Sequence, residues 1–263
     1  MKLIDVHCHL DDERIYKNIE EVIKKCAEKN VLVISSGVNP ETNRKALEIS
    51  KNYTNVKASA GFYPIDSIAE KIKIERDGDL RKIEPFSVEE EINFVKENNE
   101  RFVAIGEIGM DFAIAPNYKK EQEEVFVKLL NFAKEINKPV IIHSRKAELE
   151  CIEILEKMQV KRVLMHCFNG KKSLIKRCVE NGWFLTVPPV LVRLEHFKMM
   201  AEIVPLDNLL TETDAPYLSP IKGEINYPWN VEISIKEIAK IKKIDEKEVA
   251  EKIFKNAQNL FGL

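Results

Sequence analysis

The sequence predicts an α/β fold, a (β/α)8 TIM barrel occupying one domain over residues 1–263. Three observations lead there. Short apolar runs alternate along the chain with longer amphipathic stretches, the pattern of βαβ units and a parallel sheet. The apolar runs number eight between residues 3 and 210, which matches the barrel in count and size. No G-x-G-x-x-G follows an early run, and this sets the doubly wound open sheet aside.

In order, strands are expected over 3–6, 31–35, 56–60, 102–105, 139–142, 162–165, 183–186 and 208–210. Helices are expected between them over 15–28, 40–52, 88–97, 119–136, 146–157, 173–181 and 196–204, with two more at 231–240 and 246–261. Pro40 suits the first turn of its helix, where its missing N–H costs nothing. In 119–136 the apolar residues Val125, Phe126, Leu129, Leu130, Phe132 and Ala133 recur at helical spacing, and Pro139 stops the pattern. The charge-rich stretch 65–85 reads as an insertion after the third strand, either a lid over the site or a solvated loop.

Lys and Arg total 41 against 43 Asp and Glu, for a net charge of -2. That excludes a basic duplex-coating protein, so any nucleic acid must be held by a local groove or by metal ions. Five cysteines with no C-x-x-C pair argue against a disulfide framework and for a reducing, cytoplasmic setting. An acidic residue at position 5 rules against a signal-peptide core, and no apolar run reaches membrane-span length.

The polar residues at the strand ends carry the chemistry. His7 and His9 lie two apart just past the first run, a spacing that turns both side chains to one face. Glu107 follows the fourth run, His143 the fifth, His166 the sixth and Asp214 the eighth. A lone histidine or carboxylate at such a place is more often structural, but six at the carboxyl ends of five strands fall where barrel enzymes build their sites. Imidazole with carboxylate suits a divalent transition metal, and carboxylates admit Mg as well. His196, in a helical stretch, is the one histidine outside the set.

The motifs His7-Cys8-His9, Gly106-Glu107-Ile108-Gly109-Met110-Asp111, His143-Ser144-Arg145, His166-Cys167-Phe168 and Glu212-Thr213-Asp214-Ala215-Pro216-Tyr217 resemble, in order, those of TatD-type metal-dependent hydrolases of the amidohydrolase-like barrel superfamily. The resemblance implies two divalent cations per chain (Zn, Mn, Mg, Co or Ni). One would be held by His7, His9 and Asp214, the other by His143 and His166, with Glu107 bridging. It also implies hydrolysis of DNA phosphodiesters, in the manner of a 3′-to-5′ exonuclease. Two departures bear on the substrate: Tyr63 in Gly61-Phe62-Tyr63-Pro64 stands where the family has His, and Asn226-Tyr227-Pro228-Trp229-Asn230 replaces an Arg-Asn-Glu-Pro run.

The expected mechanism is attack on phosphorus by a hydroxide shared between the two cations, with Asp214 orienting it or taking its proton and Glu107 holding both metals. Arg145 is the candidate phosphate contact. Lys171 and Lys172 are either backbone contacts or solvated lysines, and Tyr227 and Trp229 either base-stacking or loop-anchoring aromatics. Cys8 and Cys167, next to ligand histidines, are expected to turn away from the metals as buried fillers; Asp111 and Glu212 are either partners orienting the imidazoles or surface residues. The expected partners are a DNA substrate, no membrane, and at most copies of the chain itself, as monomer or small homo-oligomer. Two rivals stand beside the nuclease: a metal hydrolase acting on an amide, lactone or aminoacyl ester, and a catalytically silent scaffold.

Overall fold

The computed structural model describes residues 1–72, 76–77, 81–83 and 85–263. Eight parallel strands form one sheet in chain order: β1 (Leu3–Cys8), β2 (Val31–Ser36), β3 (Val56–Ala60), β4 (Phe102–Gly109), β5 (Val140–His143), β6 (Val163–Met165), β7 (Phe184–Val187) and β8 (Leu209–Thr211). Helices follow them: α1 (Ile19–Glu28), α2 (Pro40–Asn52), α3 (Val88–Glu97), α4 (Lys119–Glu135), α5 (Glu148–Lys157), α6 (Lys172–Glu180), α7 (Glu195–Ile203), α8 (Val231–Lys242) and α9 (Glu246–Phe261). The architecture is a nearly closed (β/α)8 barrel.

Local sequence explains the helix boundaries. At α2, Asn39 Oδ1 accepts from Thr42 N at 3.1 Å while Thr42 Oγ1 accepts from Asn39 N at 3.0 Å. Two first-turn N–H groups are satisfied reciprocally, with Pro40 at the first helical position. Helix α9 starts at Asp245, which accepts from Lys247 N, and stops at Gly262 in the left-handed conformation. The expected helix 15–28 is instead two pieces: Asp12 caps a turn over Glu13–Tyr16, starting the helix earlier, and Asn18 leaves helical geometry (φ -125°) before α1.

The strands are buried along nearly their whole length, and the helices pack their apolar faces on the barrel. Trp183, Phe126 and Phe197 fill the space between the layers; Trp183 Nε1 donates to Val160 O at 3.0 Å, which settles its one polar atom. Strands β1 and β8 close the barrel without a regular ladder. Thr211 Oγ1 donates to Ile4 O (2.7 Å), Thr213 N to Asp5 Oδ1 (2.9 Å), Asp214 N to His7 O (2.9 Å) and His9 N to Ala215 O (2.7 Å).

Two register irregularities bracket site residues: β1 against β2 between Asp5 and Cys8, and β4 against β5 between Ile105 and Ile108. A residue released from the ladder in this way can re-aim its side chain. Strand β4 accordingly runs on to Gly109, past the expected end at 105, and carries Glu107 inside the strand.

The described part of the 65–85 insertion packs rather than floating in solvent. Ile65, Ile68, Ala69, Ile72 and Ile83 are buried with Val38, Tyr63 and Ala115 in a second small core. Residues 73–75, 78–80 and 84 of that stretch lie outside the described residues. Among the described residues no helix is long and apolar enough to cross a membrane.

Candidate metal centre

All six sequence-predicted ligands meet at the carboxyl end of the barrel. His7 and His9 converge on Asp214, with Nε2 atoms 3.6 and 3.3 Å from its Oδ1. His9 Nε2 also lies 3.7 Å from Glu107 Oε1. Glu107 Oε2 lies 3.0 Å from His143 Nδ1 and 3.9 Å from His166 Nε2. Among the described residues two sets of donors are compact enough for a single ion: His7, His9 and Asp214, and His7, Glu107 and His166. His143 joins the second group through Glu107.

Each imidazole is aimed by its other ring nitrogen. His9 Nδ1 lies 3.0 Å from Ser36 O, a carbonyl that only accepts, so Nδ1 carries a proton and Nε2 faces the carboxylates. His166 Nδ1 meets Glu212 Oε2 at 2.7 Å, and His143 Nε2 meets Asp111 Oδ2 at 3.0 Å. His7 Nδ1 contacts Ser36 Oγ at 3.0 Å, which in turn accepts from Ser59 Oγ. Asp111 and Glu212 are therefore buried orienting partners rather than surface residues. Asp111 is itself held: Oδ1 accepts from Ala113 N and Ile114 N, and Oδ2 from Tyr63 OH at 3.1 Å.

A metal fits what these residues leave unfinished. His7 Nε2 is buried and has no hydrogen-bond partner among the described residues. A buried polar atom left without a partner is costly. Burial, reinforced by the neighbouring His166 ring, holds His7 well below the usual imidazole range, so it stays neutral, the form that ligates a metal. Burial opposes charge on Glu107 too, but the hydrogen bond and charge of His143 outweigh it and keep the carboxylate well below its usual value. Burial also disfavours charged His143 and His9, yet their carboxylate partners raise both to about 10. The cluster without metal is thus a proton-loaded version of the donor set that a cation would occupy.

Two glycines make room for it. A Cβ on Gly109, whose φ is +142°, would lie 2.0 Å from His143 O, and one on Gly106 would lie 2.5 Å from Ile141 Cβ. Only glycine lets β4 approach β5 closely enough to pair Glu107 with His143. Asp214 and Cys167 have left-handed φ values of 54° and 41°, a conformation that turns the chain just after β8 and β6.

A model of the family described as TatD related DNase matches residues 4–262. The chain belongs to the TatD family. It is a metal-dependent hydrolase of that family, 36% identical over 262 residues to an uncharacterized metal-dependent hydrolase of Methanocaldococcus jannaschii (99% of this chain, 97% of that one). It is 30% identical over 265 residues to human deoxyribonuclease TATDN3 (98% and 94%). The crystal structure of a TatD homologue from Escherichia coli K12, YJJV, superposes with a TM-score of 0.85 at 24% identity over 99% of this chain and 98% of that one; it shares the fold.

The remaining candidates separate cleanly. Arg145 lines the cavity above the centre, which has a volume of ≈ 370 Å³, together with Ser144, Asn169, Tyr63 and Tyr217. Lys171 and Lys172 are exposed at the start of α6 and do not line it. Tyr227 and Trp229 stack on each other at 4.4 Å and Lys25 covers Trp229 at 4.2 Å, so these rings anchor their loop. His196 Nε2 lies 2.9 Å from Phe168 O, a structural contact. Cys8 is a buried filler, but Cys167 corrects the expectation: its left-handed backbone leaves it half-buried and lining the cavity. Sequence reasoning passed over Ser36, Asp5 and Asp11 as site residues, and noted Asn226 only as part of a departure from the family's run. A serine ending an apolar run and a carboxylate inside one were the available signals. Asn226, whose Nδ2 donates to Thr213 O at 2.8 Å, had none.

Proposed function

We propose that this TatD-family protein cleaves phosphodiester bonds of DNA, working inward from a strand end, with two divalent cations. His7, His9 and Asp214 would hold one and His143 and His166 the other, with Glu107 shared between them. The observation that carries this reading is the His7 Nε2 left without a partner among the described residues, in a cluster of four imidazoles that converges on Glu107 and Asp214. The chemistry a bound metal pair supplies there is activation of water and neutralisation of phosphate charge. Zn, Mn, Co, Ni or Mg all suit the donor atoms.

The chain's own residues do the rest. Asp214, whose side chain keeps 17% of its surface exposed at the cavity floor, is placed to accept the proton of the attacking water. Glu107, more deeply buried, stays ionised and fixes the spacing of the imidazoles. Arg145 extends from the rim beside His143 and offers paired N–H groups to a phosphate. The DNase named in the family description and the human relative's name support the substrate class.

The test is metal content per chain and turnover of an end-labelled single-stranded oligonucleotide, for wild type and His143→Ala. Two metals and cleavage, both reduced in the variant, are expected. Two metals without cleavage would sink the nuclease reading and direct the search to amides, lactones and aminoacyl esters.

A further inference from the structure

Two adjacent aspartates follow β1 and differ in one respect. Asp12 is satisfied: its Oδ1 accepts from Arg14 N (2.9 Å) and Nε (2.8 Å), and its Oδ2 from Nη2 (2.7 Å). Asp11 lines the cavity, and its Oδ1 is buried with no hydrogen-bond partner among the described residues. A carboxylate oxygen in that state lacks a donor, and the same oxygen repels an anion. Something carrying a donor must complete it.

The barrel places that acceptor opposite the donors. In a ring of eight strands β1 and β5 lie four positions apart, on opposite sides of the mouth. Asp11 follows β1, whereas Ser144 and Arg145 follow β5 and Asn169 follows β6, and all four line one cavity. Arg145 makes no ion pair among the described residues, although Glu148 lines the same side. The metal-ligand floor lies between the two walls. The cavity, at ≈ 370 Å³, is near the small end of ligand sites. One terminal unit of a chain suits it better than a continuous strand.

We propose that Asp11 accepts a hydrogen bond from a terminal sugar hydroxyl of the substrate, while the adjoining chain phosphates leave toward Arg145. Asp11 is thereby a specificity residue that selects hydroxyl-terminated ends and rejects phosphate-terminated ones. This rests on the nuclease reading above and adds to it which group is read, and by which residue.

The test uses the metal-loaded full chain and single-stranded oligonucleotides differing only in the presence of the hydroxyl at the 3′ or at the 5′ end, plus one ending in a 3′-phosphate. Wild type is expected to lose at least ~10-fold in kcat/KM when the hydroxyl at one end is removed, the size expected of a hydrogen bond to a charged acceptor. The end that responds identifies the hydroxyl read. Asp11→Ala is expected to lower cleavage of the hydroxyl-terminated strand to the level of its deoxy counterpart, leave the latter unchanged, and tolerate the terminal phosphate better. Equal cleavage of all ends by wild type would overturn the proposal without any variant. Equal loss on every substrate in Asp11→Ala, or loss of bound metal, would make Asp11 structural instead. If no oligonucleotide is cut, the nuclease reading fails separately. Titration calorimetry of wild type and Asp11→Ala with thymidine and 3′- or 5′-deoxythymidine then decides: a hydroxyl preference lost in the variant supports Asp11, and none in wild type overturns it.

Discussion

His7 and Asp214 meet across the barrel seam: Asp214 N donates to His7 O at 2.9 Å, and their side chains approach without a hydrogen bond, His7 Nε2 lying 3.6 Å from Asp214 Oδ1. The backbone bond sets where the side chains meet, so the first and last strands of the barrel share one end of the candidate metal centre.

Asp214→Asn keeps the volume and the backbone bond but removes the charge that draws His7 and His9 together. Activity on an oligonucleotide is expected to fall by about 10²-fold or more, the range for loss of a general base. The melting temperature should stay near wild type, because the N–H donor to His7 O remains. Full turnover in a folded, metal-loaded Asp214→Asn would remove Asp214 from the mechanism.

Glu212 does not itself line the cavity, yet it holds His166 Nδ1 at 2.7 Å and accepts from Cys167 N at 2.9 Å. Glu212→Gln is expected to cost about 10–100-fold in metal affinity, the usual effect of losing an orienting partner behind a ligand imidazole. Titration calorimetry with Zn or Mn checks this; unchanged affinity would mean that the ring needs no such support.

Gly109→Ala puts a Cβ 2.0 Å from His143 O in a backbone region that L side chains avoid. A loss of about 1–3 kcal/mol or more is expected from such overpacking, read as a lower urea midpoint. Bound metal should fall with it, since His143 must move. A variant with wild-type midpoint would show that β4 and β5 can separate without cost.

Without metal, the carboxylates hold His9 and His143 protonated up to about 10, against an ordinary value of 6.5. Raised pKa values contribute stability that is complete below about 6.5 and is lost as pH rises through about 10. Metal must displace these protons, so affinity should rise with pH across the neutral range. Calorimetry in two buffers of different ionisation enthalpy should show proton release on metal uptake. Identical heats in both buffers would contradict the assignment of His9 and His143 as proton-loaded ligands.

The sequence by itself determined the repeat of strand and helix and singled out the six candidate ligands, because both are written locally. Apolar runs of strand length, caps such as Asn39 and Asp245, and histidines at strand ends act within a few residues of themselves. The ends of β1 and β4 were misplaced because His7 and Glu107 belong to strands whose ladders shift beside a neighbour, and only the neighbour shows the shift. Tertiary structure alone decided that Asp111 and Glu212 stand behind the imidazoles, that Lys25 covers the Trp229 ring, and that Asp11 Oδ1 has no partner among the described residues at the cavity. Those facts depend on contacts between residues far apart in the chain. Alternation along one strand gives the face a side chain takes, but its hydrogen-bond partner comes from another strand, placed there by closure of the barrel.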